Sequence, residues 1–474
     1  MKDILVFISD QHSPLWSAFG GGKAETPVLN EVCASGTSFS QCYTSCPLCV
    51  PARMSMLTGK LPSKNGVMTN LDTIPDIMPT FLHPFVEAGY ETVLIGRMHF
   101  VGKDQRHGFT KRLAKDMTPV SWNRPVEKLK EERGVFNGTY DARGCVKVIG
   151  GGETPVVNYD ETVIQTALDY LNQDHEKPQL IVVGTYAPHF PYVAPAALYE
   201  KYRKRVSLPS MFHETPDYFN AVLENRKNIV DEETALKAQA AYLALIEYTD
   251  QKIGQVREAF REFTKKRGSK PLFCYLSDHG DQVGERDIFG KCTFFEASAK
   301  IPMMFEGDGI PQGKQIEELA GIMDLGPTLC SWAGVSQVPG QDGESLIPVM
   351  NGQSSDRMIV SEMLEKTGGR SHYGLMLRRG KWKYMVYSGY EDRDILFDLE
   401  QDPKETENVI HDYPEEAKKF RDYYRAGFNA SAIEREQADR AQAAKWMAAW
   451  EKQVGVDDSE RWSGNTAKEY PKIG

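Results

Sequence analysis

The chain has 474 residues, with 56 Lys and Arg against 66 Asp and Glu for a formal net charge of −10, and is long enough for a large core and two domains of unequal size. Its 41% hydrophobic and 26% charged residues are those of a globular protein. The acidic balance excludes wholesale binding to nucleic acid or an anionic membrane surface, since both need a basic face, but a small anionic substrate stays open. Eight cysteines are scattered through the chain, a usage that fits a reducing compartment better than a disulfide scaffold. The opening "MKDILVFISDQH" lacks the apolar region and cleavage site of a signal peptide, and no apolar run approaches a membrane span. The expected location is cytoplasmic, or periplasmic or secreted if a leader has been removed.

In chain order, short apolar runs bounded by turn residues recur: "ILVFIS", "ETVLIG", "LIVVGTY" and "LFCYLS". Between them lie amphipathic stretches, notably Glu232 to Lys265, and later "MDLGPTLCSWAGV" with Gly334 as its C-cap. This alternation predicts an α/β sandwich around a large, mostly parallel sheet flanked by helices, spanning residues 1–355. From residue 356 to 474 the style changes. "HYGLMLRRGKWKYMVY" reads as two strands joined through Arg-Gly, and "DILFDLEQDP" as another, giving a small antiparallel sheet. Tyr413 to Lys452 reads as one helical tail, and the last twenty residues show no periodicity.

Ligands of open α/β sheets gather at the carboxyl ends of strands. The first strand ends in Ser9-Asp10-Gln11 and "LFCYLS" runs into Asp278-His279-Gly280-Asp281, a pair of acidic strand ends suited to a hard divalent cation. The bland alternative is that each Asp caps a turn or helix. In "CPLCVPARMSMLTGKLP", Cys46 and Cys49 read as a redox pair, half a zinc site, or one reactive cysteine with an unrelated neighbour. Pro51 suits a first helical turn, with Cys49 just ahead of it facing free backbone N–H groups, and Arg53 lies one turn on. Further strand ends offer Arg97 and His99 in "IGRMHF" and His189 in "YAPHFPY", and "FGKCTFFE" offers Lys291. Each of these, taken singly, is more often a structural residue.

Together these blocks resemble the type I sulfatases of the alkaline phosphatase superfamily. The resemblance runs from "ILVFISDQH" through the specific C-x-P-x-R-x₄-T-G core, "GYETVLIGRMH", "PHFPY" and "SDHGDQVGERDIFGKCTFFEASAKIPMMF" to "KWKY" and "LFDLEQDPKETENV". It implies an alkaline-phosphatase-like sandwich with a smaller C-terminal subdomain. It also implies that Cys49 is oxidised by a formylglycine-generating maturation enzyme to an aldehyde, whose hydrate attacks the sulfur of a sulfate ester. Asp10, Gln11, Cys49, Asp278 and His279 would then hold a metal, Ca²⁺ in most relatives, with Mg²⁺ or Mn²⁺ as alternatives. Arg53 would stabilise the hydrate, His99 would contact it, and Arg97, His189 and Lys291 would meet the substrate. His189 would protonate the leaving alkoxide, with Lys291 holding the sulfate.

Three departures stand out. Arg97 replaces a commoner Lys, Ala52 a frequent Ser, and Gln11 with His279 the Asp and Asn of many relatives. The expected substrate is a sulfated small molecule or sugar, with homo-oligomerisation left open. The rival activity is that of a phosphonate monoester or phosphodiester hydrolase of the same superfamily. Specificity is expected in loops such as Asp116 to Asn158.

Overall fold

The structure, a computed structural model, describes residues 1–118, 120–122 and 144–455 and the backbone of 472–473. Part of the expected specificity loop and nearly all of the last twenty residues lie outside them. Lys2–Asp10 (β1), Thr37–Phe39 (β2), Glu91–Gly96 (β3), Lys111–Leu113 (β4), Gln179–Pro188 (β5), Lys270–Ser277 (β6), Met303–Gly307 (β7) and Lys314–Ile316 (β8) form one sheet. Its order is β8-β2-β7-β6-β1-β5-β3-β4. The run from β6 to β4 is parallel, while β7 lies antiparallel to both β6 and β2. The mostly parallel sheet read from the sequence is therefore present.

Strands buried on both faces read as unbroken apolar runs, because successive side chains enter opposite cores. In β1, Ile4, Val6 and Ile8 enter one core with Met54 and Leu57 of Cys49–Thr58 (α1). Leu5 and Phe7 enter the other, with Val163 of Pro155–Leu171 (α2) and Phe260 of Glu232–Arg267 (α3). The side chain of Asp231 accepts the Thr234 N–H at the start of α3, and Gly268 ends it at φ 59°. Gly334 likewise closes Leu325–Ala333 (α4) at φ 76°. Among the described residues, no helix is long and apolar enough to cross a membrane.

The C-terminal subdomain carries a four-stranded antiparallel sheet of Ile359–Thr367 (β9), Arg370–Arg379 (β10), Trp382–Tyr387 (β11) and Ile395–Asp398 (β12), paired in chain order. β9 was not expected. Its Glu362 and Glu365 dilute the alternating pattern, although the Gly368–Gly369 pair, at φ 58° and 78°, is a strong hairpin signal. The tail also differs from the single helix expected. It forms Pro414–Gly427 (α5) and Ala430–Val454 (α6), because Phe428 is extended and Asn429 caps the second helix by accepting the Ala432 N–H.

Candidate active site

The parallel strands bring their polar ends to one edge. Asp10 closes β1, Arg97 and His99 follow β3, His189 follows β5, and Asp278 and His279 follow β6. α1 points its N-terminus at the same place. The helix begins at Cys49 itself, one position earlier than the sequence suggested, with extended Leu48 as the N-cap and Pro51 inside the first turn.

The two carboxylates divide their oxygens between two tasks. Arg53 donates from Nε to Asp278 Oδ2 (2.8 Å) and from Nη2 to Asp10 Oδ2 (3.2 Å), and Arg97 Nε donates to Asp10 Oδ2 (2.6 Å). The Oδ1 atoms face inward. Asp10 Oδ1 lies 3.7 Å from Cys49 Sγ, and His279 Nε2 lies 3.7 Å from each Oδ1. Burial opposes the charge on Asp10, but Arg97, His189, Arg53 and Lys291 together hold its carboxyl well below the usual range.

Cys49 Sγ is the meeting point. Lys291 Nζ donates to it at 2.9 Å, and His279 Nε2 lies 3.3 Å away. Lys291 Nζ is also 2.7 Å from His189 Nε2, while His189 Nδ1 contacts the Phe190 carbonyl at 2.6 Å, which fixes the ring. Burial, then Asp10, pushes the Cys49 thiol up to about 11, so the unmodified group is a poor thiolate nucleophile at neutral pH. Cys46 is buried and its thiol is raised well above its ordinary value by burial and by Cys292. Neither thiol has the depressed pKa of a redox pair.

A cation fits this donor set. Ligand atoms of Asp10, Cys49, Asp278 and His279 lie within 4.8 Å of one another. Gln11 is held at φ 69°, its N–H donating to Asp278 Oδ1 and its Nε2 to Asp281 Oδ2, which leaves the buried Oε1 without a hydrogen-bond partner. His279 Nδ1 sits against the Gly280 carbonyl, turning Nε2 to the cluster, and burial drops its pKa to about 4, keeping it neutral. Two carboxylates, an amide oxygen and one imidazole suit a hard divalent ion.

Arg97 is heavily committed. Besides Asp10, it donates from Nη1 to Asp116 Oδ1 and Thr118 Oγ1, pairs through Nη2 with His99 Nδ1, and lies over the Tyr186 ring. His99, at φ 61°, is placed by its own N–H, which donates to Asp116 Oδ2. Asp116 and Asp281 are the residues the sequence reading did not assign. Asp116 orients the Arg97–His99 corner, and Asp281 accepts from Gln11, Tyr192 and the Val283 and Gly290 amides. Asp281 stands in the quoted strand-end block and could have been found there, whereas "KDMT" gives no comparable signal.

A doubly covered, mostly parallel sheet with acidic strand ends around a helix N-terminal cysteine defines a hydrolase of the alkaline phosphatase superfamily. The Sulfatase family model matches residues 3–335, and the model for the C-terminal part of N-sulphoglucosamine sulphohydrolase matches 284–422. A choline-sulfatase of Rhizobium meliloti (strain 1021) is 34% identical over 432 residues, covering 86% of this chain and 82% of the relative. A 2-O GAG sulfatase structure superposes with TM-score 0.71 at 21% identity, covering 99% of this chain and 98% of that one. The phosphonate monoester hydrolase of Agrobacterium radiobacter superposes with TM-score 0.69 at 18% identity, over 94% and 96% of the two chains. The chain belongs to the sulfatase family and is a sulfuric ester hydrolase.

Proposed function

We propose that the chain cleaves sulfate monoesters of small molecules or sugars through formylglycine made from Cys49 by a maturation enzyme, beside a divalent cation, Ca²⁺ before Mg²⁺ or Mn²⁺. The observation that carries this reading is the convergence of Asp10, His279 and Lys291 on Cys49 Sγ. Hydrated formylglycine would supply one hydroxyl to attack sulfur as the ester oxygen leaves, and a second to expel sulfate as the aldehyde re-forms. Asp10, Gln11, Asp278 and His279 would hold the cation with position 49, and its charge would acidify the attacking hydroxyl and offset the sulfate oxygens.

The remaining roles follow from position. Arg53 bridges the two carboxylates and keeps both Oδ1 atoms turned toward the reacting group. Lys291 places its ammonium where sulfate oxygens would gather. Its hydrogen bond to His189 gives a route for a proton to the leaving alkoxide. Arg97 keeps one Nη2 N–H for a sulfate oxygen, and its bond to His99 sets the ring that would contact the hydrate.

Mass spectra of peptides from active protein test the reading. Position 49 should appear as the aldehyde and Cys46 as a free thiol. Cys49→Ala should abolish turnover of nitrophenyl sulfate, and Cys46→Ser should leave a folded, active protein. Full activity with Cys49 entirely as thiol would defeat it. Sulfate esters are also expected to exceed phosphonate monoesters in kcat/KM, and the reverse order would favour the rival activity.

A further inference from the structure

Lys291 has a second neighbour outside the reacting cluster. Arg226, which follows the short helix Ala221–Glu224, donates from Nη2 to the Lys291 carbonyl (3.1 Å) and from Nη1 to Glu365 Oε2 of β9 (3.3 Å). The segment is tied to the small sheet again by Asn225 Nδ2, which donates to the Lys366 carbonyl at 3.0 Å. Two buried polar atoms in this corner have no hydrogen-bond partner: Arg226 Nε and the hydroxyl of Tyr387 at the end of β11. The charges of Glu365 and Arg226 both act on that hydroxyl. The Tyr387 ring is fixed between Phe294, with ring centroids 5.8 Å apart, and Gly374, where any Cβ would lie 2.8 Å from the ring.

Exposure shows which way this corner faces. Side-chain exposure is 16% for Arg226 and 11% for Glu365, whereas His189 and Lys291 are 3% and 5% exposed as residues. The alcohol portion of a sulfate ester held at Cys49 would therefore extend past Lys291 toward Arg226. The pair there is net neutral, because Glu365 cancels the guanidinium charge. It offers no excess charge to a quaternary ammonium or a second anion, but it does offer unfilled hydrogen bonds. A site with buried, unpaired donors rejects an alcohol that lacks the matching hydroxyl far more strongly than an apolar pocket distinguishes shapes.

We propose that Arg226, Glu365 and Tyr387 form a specificity subsite for a hydroxyl neighbouring the sulfate ester, so that the substrate class is sugar sulfates. This rests on Cys49 being the reacting position. The quantity to read is the ratio of kcat/KM for a monosaccharide sulfate, chosen from O-sulfated N-acetylglucosamine and galactose, to that for nitrophenyl sulfate. Arg226→Met and Tyr387→Phe should each lower this ratio tenfold or more, and Tyr387→Phe removes only the hydroxyl, which keeps the test valid if Arg226→Met folds poorly. Equal losses on both substrates, or no change, would show a merely structural corner and overturn the subsite. Wild-type turnover of nitrophenyl sulfate but of none of the sugar sulfates would overturn it too. So would a Glu365→Gln variant that selectively loses choline sulfate, which would mark a cation subsite. Persistent activity in Cys49→Ala would instead defeat the reading of the reacting position, and so separates the two failures.

Discussion

Arg53 is buried completely and binds a different carboxylate with each of two nitrogens. Only a planar fork can do this at fixed spacing, so Arg53→Lys should leave one carboxylate unpaired and turn its oxygens out of register. The expected result is a kcat for nitrophenyl sulfate at least a hundredfold lower, with reduced cation content by elemental analysis; near-normal kcat would show that charge alone suffices. His189 makes a different kind of claim. Held by Phe190 and facing Lys291, it should matter in proportion to how badly the leaving group needs a proton. His189→Ala should thus reduce kcat for an alkyl or sugar sulfate by ten- to a hundredfold more than for nitrophenyl sulfate, and equal losses would assign it a binding role. Asp10, Cys49 and Asp278 were legible because each stands beside a strand or helix end that sequence pattern reveals. Asp116 was not legible, since its role exists only once Arg97 and His99 fold over it.

At the scale of elements, the exit of β3 is positioned by two glycines. Gly96 sits at φ 92°, and a Cβ there would lie 2.4 Å from the Gly184 carbonyl oxygen; a Cβ on Gly184 would lie 1.9 Å from the carbonyl oxygen of Arg97. The Arg97 N–H donates to the Gly184 carbonyl at 2.8 Å, so the strand leaves the sheet in contact with β5. Gly184→Ala has no side chain that can yield, only backbone. It should cost about 1–3 kcal/mol or more and displace Arg97 from Asp10, lowering both the melting temperature and kcat. A variant as stable and active as the parent would mean that the two strands are not in such close approach. Neither glycine announces this in the sequence, where both look like ordinary ends of apolar runs. The strands themselves were legible because burial on both faces leaves no polar gap, while β9 and the break at Phe428 were hidden by helix-forming residues on either side.

For the molecule as a whole, the question is what holds the small sheet against the catalytic body, since β9 and β11 bring Glu365 and Tyr387 to the site. Apolar packing contributes through Met363, Met376, Met385 and Phe397, which share one core with Phe219 and Phe295. At its centre lies Lys383 of β11, fully buried, with Nζ 2.9 Å from Glu296 and 2.7 Å from Glu405. Glu296 belongs to the body, directly after the Lys291 loop, so the ion pair crosses between the two parts. Burial would raise the Glu296 carboxyl, but Lys383, Lys300 and Arg378 hold it at about 2. Two glutamates around one lysine make removal of the lysine severe, because both carboxylates would remain in a dry interior facing each other. Lys383→Met should therefore cost about 3–5 kcal/mol. Replacing both acids as well, in Lys383→Met with Glu296→Gln and Glu405→Gln, should recover part of that loss, since no buried charge is then left uncompensated. Chemical denaturation followed by tryptophan fluorescence, with sulfatase turnover read on the same samples, measures both. If the small sheet positions the substrate, Lys383→Met should also raise KM for a sugar sulfate below its unfolding transition. A loss under 1 kcal/mol with unchanged KM would place the attachment in the apolar core and leave Lys383 a bystander.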